Sequence, residues 1–315
     1  VDNTVIGIGN GNVIIATCDP LSFIPELGAR DSARISVDLL ASDLTTSGLP
    51  PQYGIFDLNL PPEMTGRVFE EYWRAFASEC KRIGLSIVGG HTGRYPGCGY
   101  TVIGGGVLFS IGNKNHYLTP EMASGHDDLL LTKGAAIETT AILTRVFPNS
   151  VRKHVGSELY GRARQYLKKL STVDDALTAV SVGLHEKGVT AMHDATEGGV
   201  ISAILELADA SHLGAEVDLA SVMVTEETKA VCKLFHIDPL VSLSEGSLLL
   251  TTNPARTSKV MSRLEKAGIP SRIIGNMTST CKVYANSTKG RSRLRYPEFD
   301  PYWRAYAKAK RKGWH

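Results

Sequence analysis

The chain has 315 residues and a mass of 34.0 kDa, enough for two domains or one large α/β domain with a sizeable core. Hydrophobic residues at 43% and charged residues at 21% exclude disordered, collagen-like and coiled-coil classes, and no apolar run reaches the roughly 18 residues of a membrane span. The net charge of +2 is unevenly spread: residues 286–315 carry nine Lys/Arg against two acids, leaving residues 1–285 with 25 against 30, too acidic for a nucleic-acid groove.

Val5–Ile8 and Val13–Thr17 read as strands joined by an Asn10-Gly11 hairpin. The second ends at Cys18-Asp19-Pro20, which puts Asp19 at a strand terminus. Asp31-Ser32 caps a helix with an apolar stripe of Ile35, Leu39, Leu40 and Leu44, stopped by Gly48 and Pro50-Pro51. Asp43 lies at the C-terminal end of that helix, a poor place for a carboxylate unless a cation is near. Tyr53–Leu60 reads as a strand, Gly66–Ile83 as a helix, and Leu85–Val88 as a short strand running into a glycine-rich turn, Gly89–Gly97. Tyr100–Ile111 is a further strand.

The polar stretch Asn113–Asp127 marks a boundary. Beyond it come strand Leu129–Thr132, helix Ala135–Val146, more helix to Lys187, and strand Val189–Met192 with the turn His193–Gly199. Helix Val200–Ala210, strand Ala215–Leu219, a helix near Glu226–Leu234, strand Ser247–Thr252, helix Ala255–Ala267 and strands near Arg272–Ile274 and Cys281–Tyr284 follow. This rhythm predicts helices on one face of a sheet.

Five cysteines, odd in number and without a CxxC pair, argue against a zinc site or a disulfide framework and for reduced thiols in a cytoplasmic protein. The chain starts at Val1 with no Met, basic stretch or apolar stretch of a signal peptide, which reads as a chain trimmed at its start. Glycine turns at Gly7–Gly11, Gly89–Gly97 and Glu197–Gly199 let backbone N–H groups close on an anion, yet neither a P-loop nor a dinucleotide fingerprint is present. Asp2, Asp19, Asp43 and Asp194 stand at strand or loop ends, where hard oxygen ligands suit a magnesium–nucleotide site. Lys133, after strand Leu129–Thr132, is a candidate for neutralising phosphate charge.

Thr17-Cys18-Asp19, Ala41-Ser42-Asp43-Leu44, Gly89-Gly90-His91-Thr92-Gly93 and His193-Asp194-Ala195-Thr196-Glu197-Gly198-Gly199 follow one another in an order that resembles the aminoimidazole ribonucleotide (AIR) synthetase superfamily. Asp128–Thr132 with Lys133-Gly134 and Glu245–Leu250 resemble segments of its second domain. The superfamily includes a purine cyclo-ligase, thiamine-monophosphate kinase, selenophosphate synthetase and a hydrogenase-maturation carbamoyl dehydratase. In pattern the chain is nearest the hydrogenase-maturation members, without their C-terminal cysteine.

The resemblance implies a two-domain α/β fold of the α+β type. Residues 1–115 would form an N-terminal ATP-binding domain that dimerises by sheet pairing. Residues 127–285 would form a C-terminal α/β domain closing over the nucleotide, and residues 286–315 a basic, aromatic tail. It also implies ATP and Mg²⁺ as cofactors, with Asp19, Asp43 and Asp2 on the metal and Gly89, Gly90, Thr92 and Gly93 by the phosphates. Asp194 with Gly198 and Gly199 would orient a small-molecule substrate or a second metal. His91 departs from the family's usual Asp or Glu, and its imidazole is read as a donor to phosphate.

The reaction expected is ATP-dependent phosphoryl transfer to a carbonyl or amide oxygen by a homodimer, with His91, Asp194 and Lys133 as catalytic candidates. The alternatives are a kinase of the thiamine-monophosphate type and a nucleotide-binding regulator without chemistry. No membrane partner is expected. The tail is expected to dock its aromatic rings on the body rather than bind nucleic acid.

Overall fold

The computed structural model describes residues 2–287 and 290–315. Val1 of the expected first domain, and Thr288 and Lys289 of the expected tail, lie outside the described residues. The chain divides into two compact units, residues 2–117 and residues 118–315.

The first unit holds β1 (Thr4–Gly9), β2 (Asn12–Ser22), α1 (Gly28–Thr45), β3 (Tyr53–Leu60), α2 (Gly66–Arg82), β4 (Ser86–Arg94) and β5 (Val102–Asn113). Its sheet runs β1-β2-β5-β3-β4. Gly9 pairs with Asn12, so Asn10 and Gly11 form a two-residue hairpin loop, and both have the positive φ, 52° and 76°, of a type I′ turn.

Alternation along the strands sorts their side chains. Val13, Ile15, Leu21, Phe56, Leu58 and Leu108 are buried on the face that α1 and α2 cover with Ile35, Leu40, Leu44, Tyr72 and Phe76. The opposite face leaves Ile6, Ile8, Ile55, Val107 and Ile111 between 36% and 50% exposed.

The second unit adds β6 (Asp128–Thr132), α3 (Ile137–Val146), α4 (Pro148–Val155), α5 (Ser157–Ala163), α6 (Val173–Val180), β7 (Val189–Ala195), α7 (Gly199–Ala210) and β8 (Gly214–Asp218). It continues with α8 (Glu226–Phe235), β9 (Ser247–Thr252), α9 (Thr257–Lys266), β10 (Ser271–Thr278), β11 (Val283–Ser287), β12 (Gly290–Arg293) and α10 (Pro301–Arg311). The sheet order is β12-β11-β8-β10-β6-β9-β7.

Here the expectation of helices on one face is corrected. Leu129, Leu131 and Leu249 pack with Val200, Ile204 and Leu207 of α7, whereas Leu130, Leu248 and Leu250 pack with Ala176 and Ala179 of α6 and Val260 and Leu264 of α9. Both faces are covered. The unbroken apolar runs of β6 and β9 are what a strand buried on two sides requires.

The basic C-terminal segment is built into this unit. β12 pairs with β11, and Trp314 sits 5.1 Å from the ring of Phe235 and 6.4 Å from that of Phe147. Tyr306 lies 5.5 Å from Phe147, while Lys308, Lys310 and Arg311 occupy the last turn of α10, where cations suit the helix dipole. Among the described residues no helix is long and apolar enough to cross a membrane.

Candidate functional site

In the first unit, Asp19 lies three residues inside β2, not at its end, because β2 keeps its antiparallel pairing with β5 as far as Ser22. Pro20 is tolerated because β1 reaches only Ala16, so beyond it one edge of β2 has no partner strand to supply. Thr17, two residues before Asp19, shares its face and is buried against α1. Its Oγ1 donates to Asp43 Oδ2 at 3.2 Å. Thr17 is thus a neighbour of both carboxylates, one through the strand repeat and one through a hydrogen bond.

Asp43 sits in the last turn of α1, which begins at Gly28 rather than at an Asp31-Ser32 cap. Ser32 is buried, and its hydroxyl binds the main chain of Ile24 instead. That last turn contains no basic residue, so the helix supplies no cation to Asp43. Burial raises the Asp19 carboxyl from 3.8 to about 6, and no hydrogen bond or ion pair to another described residue supports its charge. Two oxygen-donor side chains, one of them desolvated without a protein cation, suit a hard divalent ion such as magnesium. Asp2 is half-buried just ahead of β1.

The Gly89–Gly93 segment is not a turn. It runs within β4 and pairs in parallel with β3, Gly90 opposite Phe56 and His91 opposite Asp57. Gly90 has a φ of 150°, and a Cβ there would fall on the Phe56 carbonyl, so this strand approach admits only glycine. The glycines that suggest a turn therefore serve close strand pairing.

β4 is an edge strand, exposed along nearly all its length. His91 shares its face with Asp57, opposite the face holding Phe56, Asp19 and Thr17. It lies 2.9 Å from the Tyr95 hydroxyl through Nε2, while Asn59 Nδ2 donates to Asp57 Oδ2 at 2.9 Å. Sequence reasoning missed Asp57, Asn59 and Tyr95. The alternation Ile55-Phe56-Asp57-Leu58-Asn59-Leu60 carried the signal for the first two, since it places both polar residues on the face opposite the core.

In the second unit, β7 continues through Ala195, so His193 and Asp194 are strand residues and the turn begins at Thr196. Asp194 is fully buried, and His193 Nε2 meets Glu206 Oε2 at 2.8 Å. Gly198 and Gly199, with φ of 75° and 62°, open α7. A Cβ on Gly199 would come within 2.8 Å of the Ser242 and Leu240 carbonyl oxygens.

This turn does take an anion, and it is the chain's own. Gly198 N–H donates to Asp300 Oδ2 at 2.9 Å, while Ser242 Oγ and Tyr302 N–H donate to Oδ1 at 3.1 and 2.8 Å. Lys133 is similarly engaged: its Nζ is 3.1 Å from Asp175 Oδ1 and donates to the carbonyls of Lys169 and Ser171 at 3.2 and 2.7 Å. Burial raises the Asp175 carboxyl, and the Lys133 charge opposes that rise. Cys18 is exposed and Cys98 half-buried.

Residues 1–108 match the family model of the AIR synthase related protein N-terminal domain, and residues 126–286 that of the C-terminal domain. The chain belongs to the AIR synthase related proteins. A selenide, water dikinase of Methanococcus maripaludis is 24% identical over 310 residues, covering 90% of this chain and 87% of that protein. The crystal structure of the Escherichia coli hydrogenase maturation protein HypE superposes with a TM-score of 0.78 at 19% identity, covering 91% of this chain and 87% of that one. A HypE structure in complex with ATP gives 0.69 at 18%, covering 92% and 86%. These likenesses to solved structures establish the AIR-synthase-like α/β fold.

Proposed function

We propose that the chain is an ATP-dependent phosphoryl-transfer enzyme whose first unit holds magnesium–ATP through Asp19 and Asp43. The observation that carries the reading is the half-buried Asp19 carboxylate, raised to about 6 and without a protein cation, on the same face of β2 as Thr17, which donates to Asp43. Bound there, magnesium would offset the charge of the phosphates. The chain's own residues do the rest. Thr17 fixes the Asp43 carboxylate, and the edge of β4 that faces away from β3 offers main-chain N–H groups of the Gly89–Gly93 segment to phosphate oxygens. Thr92 projects to the Asp19 face of that strand and adds a hydroxyl donor, whereas His91 projects to the opposite, open face beside Asp57.

Lys133 enters as a residue that holds the loop after β6, because its ammonium is bound to Asp175 and two carbonyls. Asp194 is proposed to orient the acceptor or a second cation. The five exposed aliphatic side chains on the open sheet face of the first unit support a homodimer with a second copy on that face, since water-exposed apolar surface of this extent is costly.

For the acceptor, a relative that matches 90% of this chain is named for selenide and water. Selenide is therefore preferred over the carbonyl or amide oxygen that the family pattern also allows. The test is ³¹P NMR of the full chain with magnesium–ATP, under anaerobic reducing conditions, with and without selenide. Selenide-dependent ATP consumption with a phosphorus–selenium coupled resonance is expected. ATP consumed only with a carbonyl or amide acceptor would move the reading to that chemistry. ATP bound but never consumed would leave a regulator, and no ATP binding would overturn the proposal.

A further inference from the structure

A concavity of 360 Å³ lies in the second unit where the C-terminal end of α6 meets α9. Apart from Val182, every residue lining it is a cation or a hydroxyl: Lys259, Arg263 and Lys266, with Ser181, Ser258 and Ser262. The arrangement follows from the sequence of α9. Thr257, Val260 and Leu264 turn inward at helical spacing, which leaves positions 258, 259, 262, 263 and 266 on the outer side.

No carboxylate lines the concavity, and among the described residues none pairs with Lys259, Arg263 or Lys266. The guanidinium is aimed rather than loose. Ser181 donates its hydroxyl hydrogen to the Thr178 carbonyl at 2.6 Å and accepts from Arg263 Nε at 3.2 Å, which leaves the two terminal nitrogens facing no protein acceptor.

A basic helix face is ordinary where it serves the helix dipole, and Arg263 and Lys266 in the last turn of α9 have that explanation. Lys259 does not. It sits in the first turn, where the dipole disfavours a cation, next to Arg256 at the N-cap, and that turn contains no acid. Lys259 and Arg263, four residues apart, also repel each other. From Arg256 to Lys266 the segment carries four cations against one carboxylate, Glu265. Three convergent cations without counter-charge, interleaved with three hydroxyls in a hollow within the usual range for small ligands, make a receptor for a multiply charged oxyanion.

We propose that the α6–α9 concavity binds a phosphate-bearing small anion, with Arg263 oriented by Ser181 gripping one phosphate group and Lys259 and Lys266 neutralising its charge. This site is independent of the magnesium–ATP reading, because none of its residues belongs to that one. A planar guanidinium engages two phosphate oxygens at once, whereas the lysines act as point charges, so Arg263 sets geometry and the lysines set charge. Binding should weaken with salt, since the concavity is open to solvent.

The test is lysine acetylation footprinting by mass spectrometry on the full chain, with pyrophosphate as the probe at matched ionic strength. EDTA is present throughout, so that Asp19 and Asp43 repel the anion rather than hold it through a metal. Saturable protection of Lys259 and Lys266 by fivefold or more is expected, with Lys229 and Lys233 on α8 unchanged. Arg263→Gln, a change at an exposed position, should reduce that protection to less than twofold. Protection below twofold in the wild-type chain would overturn the proposal, as would equal slowing at the α8 lysines. Protection by an acidic peptide but not by pyrophosphate would overturn it too, by assigning the concavity to a protein partner.

Discussion

Replacing Asp19 by Asn separates stability from function at one atom pair. Moving a carboxyl from 3.8 to about 6 corresponds to about 3 kcal/mol for a fully buried group. Asp19 is only half-buried, and water screens part of its charge, so the working figure is about 1–1.5 kcal/mol. The folded-state value lies above the unfolded one, so folding favours the protonated form. Above about pH 6 the carboxyl is ionised in both states and the fold bears the whole cost. The cost fades as the pH falls from 6 towards 3.8 and is gone below that.

In EDTA, Asp19→Asn is therefore expected to stabilise the protein at pH 7.5 by about 1–1.5 kcal/mol, and by about a third of that at pH 4.5. With magnesium–ATP the order reverses. At a ligand concentration of 100 times Kd the wild type gains about 2.7 kcal/mol, and the variant loses that gain. Paired urea melts at the two pH values, each with EDTA or with magnesium–ATP, read all four numbers. An Asn variant that is less stable than wild type at pH 7.5 in EDTA would show that the carboxylate makes structural bonds. A difference flat across pH would show that burial does not tax its charge. Either result refutes the reasoning.

Three further outcomes are expected. Val107→Lys places a charge in the middle of the open sheet face and should shift the light-scattering mass from that of the proposed dimer to the 34.0 kDa chain, weakening association by about 3 kcal/mol or more, and an unchanged mass would remove that face from the interface. Gly90→Ala should lower stability by about 2–4 kcal/mol in thermal melts, because its Cβ meets the Phe56 carbonyl, while Gly99→Ala, with open space around it, should change little. Asp300→Ala removes an acceptor shared by Gly198, Ser242 and Tyr302 and should cost about 2 kcal/mol, with faster amide exchange in α10.

Local chemistry made much of this protein legible from its residues. Asn10-Gly11 demands positive φ at both positions, so the hairpin was readable without any tertiary contact. The alternation of Tyr53–Leu60 and the apolar spacing of Gly66–Arg82 are likewise properties of short windows, as are the motifs that mark the AIR synthase related family. Other features depend on partners far away in sequence. Gly89–Gly93 became strand because β3 offers a parallel ladder with room for no side chain at Gly90, and a glycine run by itself does not distinguish that from a turn. β2 runs through Pro20 because β5 pairs with it, and its free edge asks Pro20 for no N–H. Gly198 binds Asp300, 102 residues away, and Lys133 binds Asp175, so the glycine turn and the lysine that were candidates for an external anion are met by groups that only folding brings near. Residue types set which groups are able to bind an anion or a cation, and the tertiary fold decided which of them the chain itself had already filled.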